Sequence, residues 1–246
     1  MSEKNDSLDT DVKKMKLRYA QHGHLDTPYL IARFAGMQEI DALWLSFYSE
    51  YPDEKNDFSA VGQFLKFGTE WRKFVYEKLH SLHGGDYEKI AKRRNQLKKA
   101  IKIAVAESDM RKAGLLLHAF GDSFAHTKGA YNTHDETAYG SVIGHAFEGI
   151  CFHDPDKAFK VSNRQKYIGF ITQLFEILKT LNADVDGFNN YVFQVENAKC
   201  TRDDCAIDEL NLKPVHRKVN LFLKDNIHYI KVITKEELES IFTYID

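Results

Sequence analysis

The sequence predicts an all-α fold, several helices bundled around a buried cluster of histidine and carboxylate side chains. Three observations carry that expectation. Apolar residues recur at helical spacing through most of the chain. Only 4 Pro and 14 Gly interrupt its 246 residues, and five of its 11 His fall between positions 118 and 153. Hydrophobic residues make up 43%, with 12 Tyr and 17 Phe, enough to bury a sizeable core.

Residues 1–14 are polar and charged and read as a disordered tail, leaving 15–246 as one helical domain. Thr27-Pro28 has the form of an N-cap followed by proline at the first helical position. Leu30, Ile31, Phe34 and Ala35 give that helix its apolar face, and Gly36 ends it. Ile40, Leu43, Trp44 and Phe47 predict a second helix over 38–51. Residues 57–80 continue in the same style through Val61, Phe64, Leu65, Trp71, Val75 and Leu79, and Gly84-Gly85 is a break. Residues 86–107 form a basic amphipathic helix whose Lys92, Arg93, Arg94, Lys98 and Lys99 are expected on a solvated face. Ser108 is expected to cap the next helix, which runs to about His126, and 127–139 reads as a polar loop. A short helix from about Ser141 precedes a long one opened by Asp154-Pro155 and ending near Leu181. Toward the C-terminus, Tyr191–Val195 or His228–Ile233 suits a short strand. Thr234 with Glu237 is a capping box for the last helix.

Charge is nearly balanced, 34 Lys+Arg against 36 Asp+Glu, which argues against a dedicated nucleic-acid surface. No run approaches the roughly 18 apolar residues of a membrane span. The first residues lack the apolar stretch of a secretory signal, so a cytoplasmic location, or export that reads no leader, is expected. Cys151, Cys200 and Cys205 are too few for a disulfide framework. Cys200 and Cys205 fit free loop thiols best, with one bridge or half of a metal site as alternatives.

The densest chemistry lies in LLLHAFGDSFAHTKG. His118, Asp122 and His126 are spaced i, i+4, i+8, so successive members turn only about 40° around a helix and form one stripe. Gly114, Gly121 and Ala125 flank it and let another helix or a ligand approach. Leu116, Leu117, Phe120 and Phe124 place the stripe away from bulk water. Burying two imidazoles and a carboxylate without partners costs several kcal/mol, which a divalent cation offsets. These are ligand types of zinc, manganese and iron sites. The bland alternative is a His–Asp–His hydrogen-bond ladder in the core. His145 sits in a second short apolar helix with Glu148 one turn on and Asp156 beyond; Asp156 also suits the first turn of a helix, where acids favour the dipole.

These residues resemble the zinc-dependent phospholipase C and single-strand nuclease superfamily, and more closely an uncharacterised bacterial branch of it. The resemblance rests on H-x3-D-x3-H followed by Gly144-His145-Ala146. It extends upstream to HLDTPYLIARFAGMQEIDALWLSFYSEYPDE and to His80 in LHSLHGG, covering roughly residues 22–160. It implies a phospholipase C/nuclease-like helical bundle holding two or three zinc ions, with manganese or iron as alternatives. It further implies His24, His80, His118, His126 and His145 as ligands, Asp122 as a carboxylate bridging two metals, and Asp53 as ligand or general base. The superfamily pattern departs here in three ways. It places a Glu four residues after the last histidine, where this chain has Gly149, with Glu148 at three. The step from Asp122 to the next His is shorter, and a metal-binding N-terminal Trp is missing.

The implied activity is hydrolysis of a phosphate ester, phospholipase C-like or phosphodiesterase, by a metal-bridged hydroxide, with phospholipid among the candidate substrates. A helical metal-binding protein without catalysis, or a partner-binding module, is the alternative. His134-Asp135 and His153-Asp154 are HD dipeptides, but both fall in expected loops, unlike the helical HD pair of HD-type phosphohydrolases. His22 and His83 lie near His24 and His80 and leave each register open. His216 and His228 are expected at the surface or in structural roles.

Overall fold

The computed structural model describes residues 22–63, 69–140, 157–230 and 232–246. The predicted tail, Phe64, Leu65 and the short helix from Ser141 lie outside them, as do His145, Glu148, His153, Asp154-Pro155 and Asp156. The long helix expected to open at Asp154-Pro155 begins instead at Val161, after non-helical residues 157–160. What is described is mostly helical, as the sequence predicts.

A π-helical turn, His22–Asp26, leads into α1, Thr27–Phe34. Thr27 is therefore not an N-cap: its hydroxyl donates to the His22 carbonyl inside a turn that has already begun. Gly36 ends α1 in the left-handed region (φ +83°), which costs glycine little. Helix α2, Glu39–Glu54, runs past the expected end and contains Pro52. Proline has no N–H to give the Tyr48 carbonyl, which breaks the helical ladder in the turn carrying Ser49 and Asp53. Short α3 (Ala60–Gln63), α4 (Glu70–Phe74) and a π-helical turn (Val75–Leu79) follow.

Helix α5, Tyr87–Ala106, is capped by Asp86, and α6, Met110–Ala125, by Asp109, whose carboxylate accepts from the Lys112 N–H. Ser108, expected as the cap, sits one residue early in the left-handed region (φ +58°). Every residue of α6 from Ala113 to Ala125 is buried, so this is the central helix. It packs between α2 and α5. A methyl group on Gly114 would lie 2.5 Å from Tyr48 Cβ and 2.7 Å from the Leu45 carbonyl oxygen, so glycine sets the close approach of α2 to α6.

Helices α7 (Val161–Leu178), α8 (Val185–Asn197), α9 (Asp203–Glu209), α10 (Lys213–Asn226) and α11 (Lys235–Ile241) complete the described chain. Thr234 caps α11, accepting from the Glu237 N–H as the capping box predicts.

Strands occur, but not where the sequence suggested. Tyr191–Val195 is helical within α8, and no strand is found among the described residues of 228–233. Instead β1 (His83–Gly85), β2 (Thr127–Lys128) and β3 (Thr137–Gly140) form an antiparallel sheet in the order β1-β3-β2. Thr127 pairs with Ala138, and His83 with Gly140. The sheet occupies both the glycine break and the supposed polar loop.

Two more expectations are corrected. Arg93 and Arg94 are buried, not solvated. Arg93 donates to the Lys78 and Asp246 carbonyls and to Ser81 Oγ, and Arg94 makes a two-pronged pair with Glu136. An amphipathic pattern marks which way a helix faces, but it cannot register a guanidinium that finds carbonyl and carboxylate partners inside. Cys200 and Cys205 form a disulfide with Cα atoms 5.9 Å apart, within the usual range, so they are not free thiols.

Candidate metal centre

Four elements bring the cluster together. The π-turn before α1 supplies His24, α2 supplies Asp53, the residue after the second π-turn is His80, and α6 supplies His118 and Asp122, with His126 at its C-cap. His24 and His118 are fully buried, and His80, Asp122 and His126 nearly so. Asp53 is the exception, with 15% of its side chain exposed.

Asp122 is the hub. Its Oδ1 lies 2.9 Å from His24 Nε2, and its Oδ2 lies 3.1 Å from His80 Nδ1, 3.4 Å from His118 Nε2 and 3.8 Å from His126 Nδ1. Asp53 Oδ1 stands 3.9 Å from His80 Nδ1 and 4.0 Å from His118 Nε2. The ligand atoms of His24, Asp53 and His118 lie within 4.8 Å of one another, as do those of His80, His118 and Asp122. Gly121 makes room for this: a methyl there would meet His24 Cε1 at 3.1 Å.

The hydrogen bonds assign the tautomers. His80 Nε2 donates to the Phe58 carbonyl at 2.8 Å, and His118 Nδ1 donates to the Ser49 carbonyl at 2.8 Å. His126 Nδ1 donates to the His80 carbonyl at 2.7 Å. Each of these N–H groups is thus held by the backbone, those of His80 and His118 on the side away from Asp122, an arrangement that fixes ring orientation in metal sites. In the neutral rings this leaves lone pairs on His80 Nδ1 and His118 Nε2, which face each other at 3.0 Å beside the Asp122 carboxylate. Facing lone pairs repel; a cation between them removes the repulsion.

The protonation equilibria show the same demand. Burial opposes a charge on His80, but the hydrogen bond and charge of Asp122, with Asp53 behind, raise its pKa. A proton is the smallest cation that fits there. Burial, with the His24 and His80 imidazoles adjacent, drives His118 well below the ordinary imidazole range and keeps it neutral. Burial would raise Asp122, but the imidazoles of His126, His118 and His24 outweigh it and hold the carboxyl ionised. Neutral imidazole and ionised carboxylate are the ligand forms.

Two smaller devices hold the frame. Ser81 (φ +52°) turns the chain after His80, and its hydroxyl donates to the Ala119 carbonyl of α6 at 2.7 Å. Arg94 binds Glu136 at 2.7 and 3.1 Å and the Ser123 carbonyl at 2.8 Å, tying the β2–β3 segment to the end of α6 beside His126.

Of the two ambiguous pairs, His24 and His80 are the members that stand beside Asp122, while His22 falls in a separate group and His83 lies in β1. His134 lies in a turn, away from any helical pair. Sequence reasoning missed a third His/carboxylate group, His22, Asp26 and His216, whose ligand atoms also lie within 4.8 Å of one another. Its signal was present. His22-x3-Asp26 repeats the i, i+4 spacing of His118-x3-Asp122.

Fold and site together define a mostly helical protein with buried His/Asp groups able to hold metal ions, in which no described helix is long and apolar enough to cross a membrane. The chain matches no protein-family model, no curated protein and no solved structure.

Proposed function

We propose that this protein is a metal-dependent hydrolase of a phosphate ester, related to the phospholipase C and single-strand nuclease superfamily that the sequence resembles. The observation that carries the reading is the convergence of His80 Nδ1 and His118 Nε2, at 3.0 Å, on the Asp122 carboxylate, with both outward N–H groups held by backbone carbonyls. Nitrogen and carboxylate donors of this kind suit zinc, with manganese and iron as alternatives. His24, Asp53, His80, His118, Asp122 and His126 would hold two or three ions, with Asp122 shared. His145, Glu148 and Asp156 would complete the set from outside the described residues.

Bound divalent ions supply Lewis acidity toward a phosphoryl group and lower the pKa of water toward neutrality. Within the chain, Asp53 is suited to orient water and accept its proton: it is the most exposed of the described candidate ligands. Asp122, His80 and His118 hold the opposite, buried side. The Phe58, Ser49 and His80 carbonyls keep the three rings from rotating. The substrate is assigned as a phosphate ester, with phospholipid headgroups among the candidates.

The near-zero exposure of His24 and His118 favours a second reading, metal held for stability without catalysis. One experiment separates the two. Untagged protein is analysed for metal and assayed on bis(p-nitrophenyl) phosphate, p-nitrophenyl phosphate and phosphatidylcholine. Bound metal lost in His118→Ala and Asp122→Asn, with hydrolysis lost in Asp53→Asn, supports the hydrolase. Bound metal without hydrolysis of any of the three supports the structural reading. Folded protein that takes up no zinc, manganese or iron ends both.

A further inference from the structure

We propose that His22, Asp26 and His216 form a second metal site, a clasp for one divalent transition ion such as zinc, separate from the centre built on Asp122. It is independent of the hydrolase reading. The site lies where the π-helical turn His22–Asp26 meets α10, Lys213–Asn226. It joins residues 190 positions apart, Asp26 and His216.

Two imidazoles present the same nitrogen, Nδ1, to one carboxylate. His216 Nδ1 lies 2.9 Å from Asp26 Oδ2 and 3.1 Å from Oδ1, and His22 Nδ1 contacts Oδ2 as well. All three ligand atoms fall within 4.8 Å of one another. Tetrahedral zinc with Zn–N of about 2.0–2.1 Å sets two imidazole centroids about 5 Å apart. The His22 and His216 centroids are 4.8 Å apart, tilted by 53°, so the rings already stand at metal-site spacing. The ion enters by a small outward shift of the Nδ1 atoms.

Burial favours occupancy. The Asp26 side chain is only 2% exposed, and a carboxylate held away from water calls for a cationic partner, which a divalent ion held by the two imidazoles would supply. His22 and His216 keep 15% and 30% of their side chains exposed, which gives the ion a route in and a solvent-facing coordination position. Asn220, one turn along α10, places its amide 3.3 Å from His216 Nε2. With its oxygen turned inward, that amide accepts Nε2–H and leaves Nδ1 as the ligand atom.

The clasp and the Asp122 centre draw on opposite sides of one turn. His22 and Asp26 are four apart and face each other, while His24, midway between, reaches Asp122 instead.

The test uses the full chain, stripped with chelator and reloaded with zinc, with metal per protein measured by elemental analysis. His216→Ala and His22→Ala are each expected to bind about one equivalent less than wild type. His118→Ala is expected to lose metal from the other centre and keep the clasp equivalent, so the two sites fail separately. Folded His216→Ala and His22→Ala with undiminished zinc would overturn the proposal, leaving a hydrogen-bonded His–Asp–His clasp. If those variants do not fold, histidine-ring 15N NMR of wild type decides. Zinc must shift Nδ1 of both His22 and His216, and unshifted resonances at saturating zinc refute the site.

Discussion

Glu136 is the least anticipated buried charge in the molecule, and its removal gives a measurable test of how the frame around His126 is held. The carboxylate is fully buried and takes four hydrogen bonds: two from Arg94 (2.7 and 3.1 Å), one from Thr127 Oγ1 (3.0 Å) and one from the Asn132 N–H (2.9 Å). Burial opposes its ionisation, but the Arg94 hydrogen bonds and charge outweigh burial and lower its pKa. Glu136→Gln keeps the shape and strands a buried guanidinium, which costs about 3–5 kcal/mol. Arg94→Met strands the carboxylate and costs a similar amount. The double variant leaves neither charge alone, so its loss is far below the sum, with a coupling of about 3 kcal/mol. Urea unfolding of the four proteins measures this, provided the slope with denaturant stays constant across them. Additive single losses, with coupling under about 0.5 kcal/mol, would refute the claim that this pair is a desolvated unit.

Other perturbations probe the remaining devices. Gly121→Ala pushes a methyl against His24 Cε1 at 3.1 Å and is expected to weaken metal binding more than stability, read by zinc titration beside urea unfolding. Gly114→Ala, with its methyl 2.5 Å from Tyr48 Cβ, is expected to do the reverse, losing about 1–3 kcal/mol. His83 is half-buried and held neutral, its pKa lowered to about 4 by burial and by the Arg93 charge. The unfolded chain takes up that proton first as pH falls, so stability drops between about pH 6.5 and 4, by about 3 kcal/mol at most. His83→Gln, which cannot gain a charge, flattens that part of the thermal-stability profile; an unchanged slope contradicts it. Chelation should lower the melting temperature, because an ion held only by the folded state contributes about 2.7 kcal/mol at 100 times its Kd.

Much of the centre could be read in the sequence because α6 writes it in one helical stripe. His118, Asp122 and His126 are close in sequence, and helical periodicity alone aligns them. His24, Asp53 and His80 came only through a resemblance, since nothing in their own spacing brings distant segments together. The carbonyls of Ser49, Phe58 and His80 that hold the rings were invisible, because a backbone acceptor has no side-chain signature. The strands were misplaced for a related reason. β1 and β2 are three and two residues long, too short for alternation, and tertiary pairing rather than propensity makes them. Some helix ends moved: the cap shifted from Ser108 to Asp109 because Asp109, not Ser108, occupies the position whose side chain reaches the Lys112 N–H, and the long helix expected at Asp154-Pro155 begins at Val161.

The distance along the chain between His24 and Asp122 sets an order of events. Their side chains touch at 2.9 Å, yet 98 positions separate them, and closing so long a loop before any packing exists is entropically uphill. A nascent chain therefore cannot present the shared carboxylate to the first histidine until α6 has been made and docked against α2. An ion arriving earlier meets only isolated imidazoles. Any metal the centre takes would thus be acquired only after translation and collapse, into a fold already closed around its place.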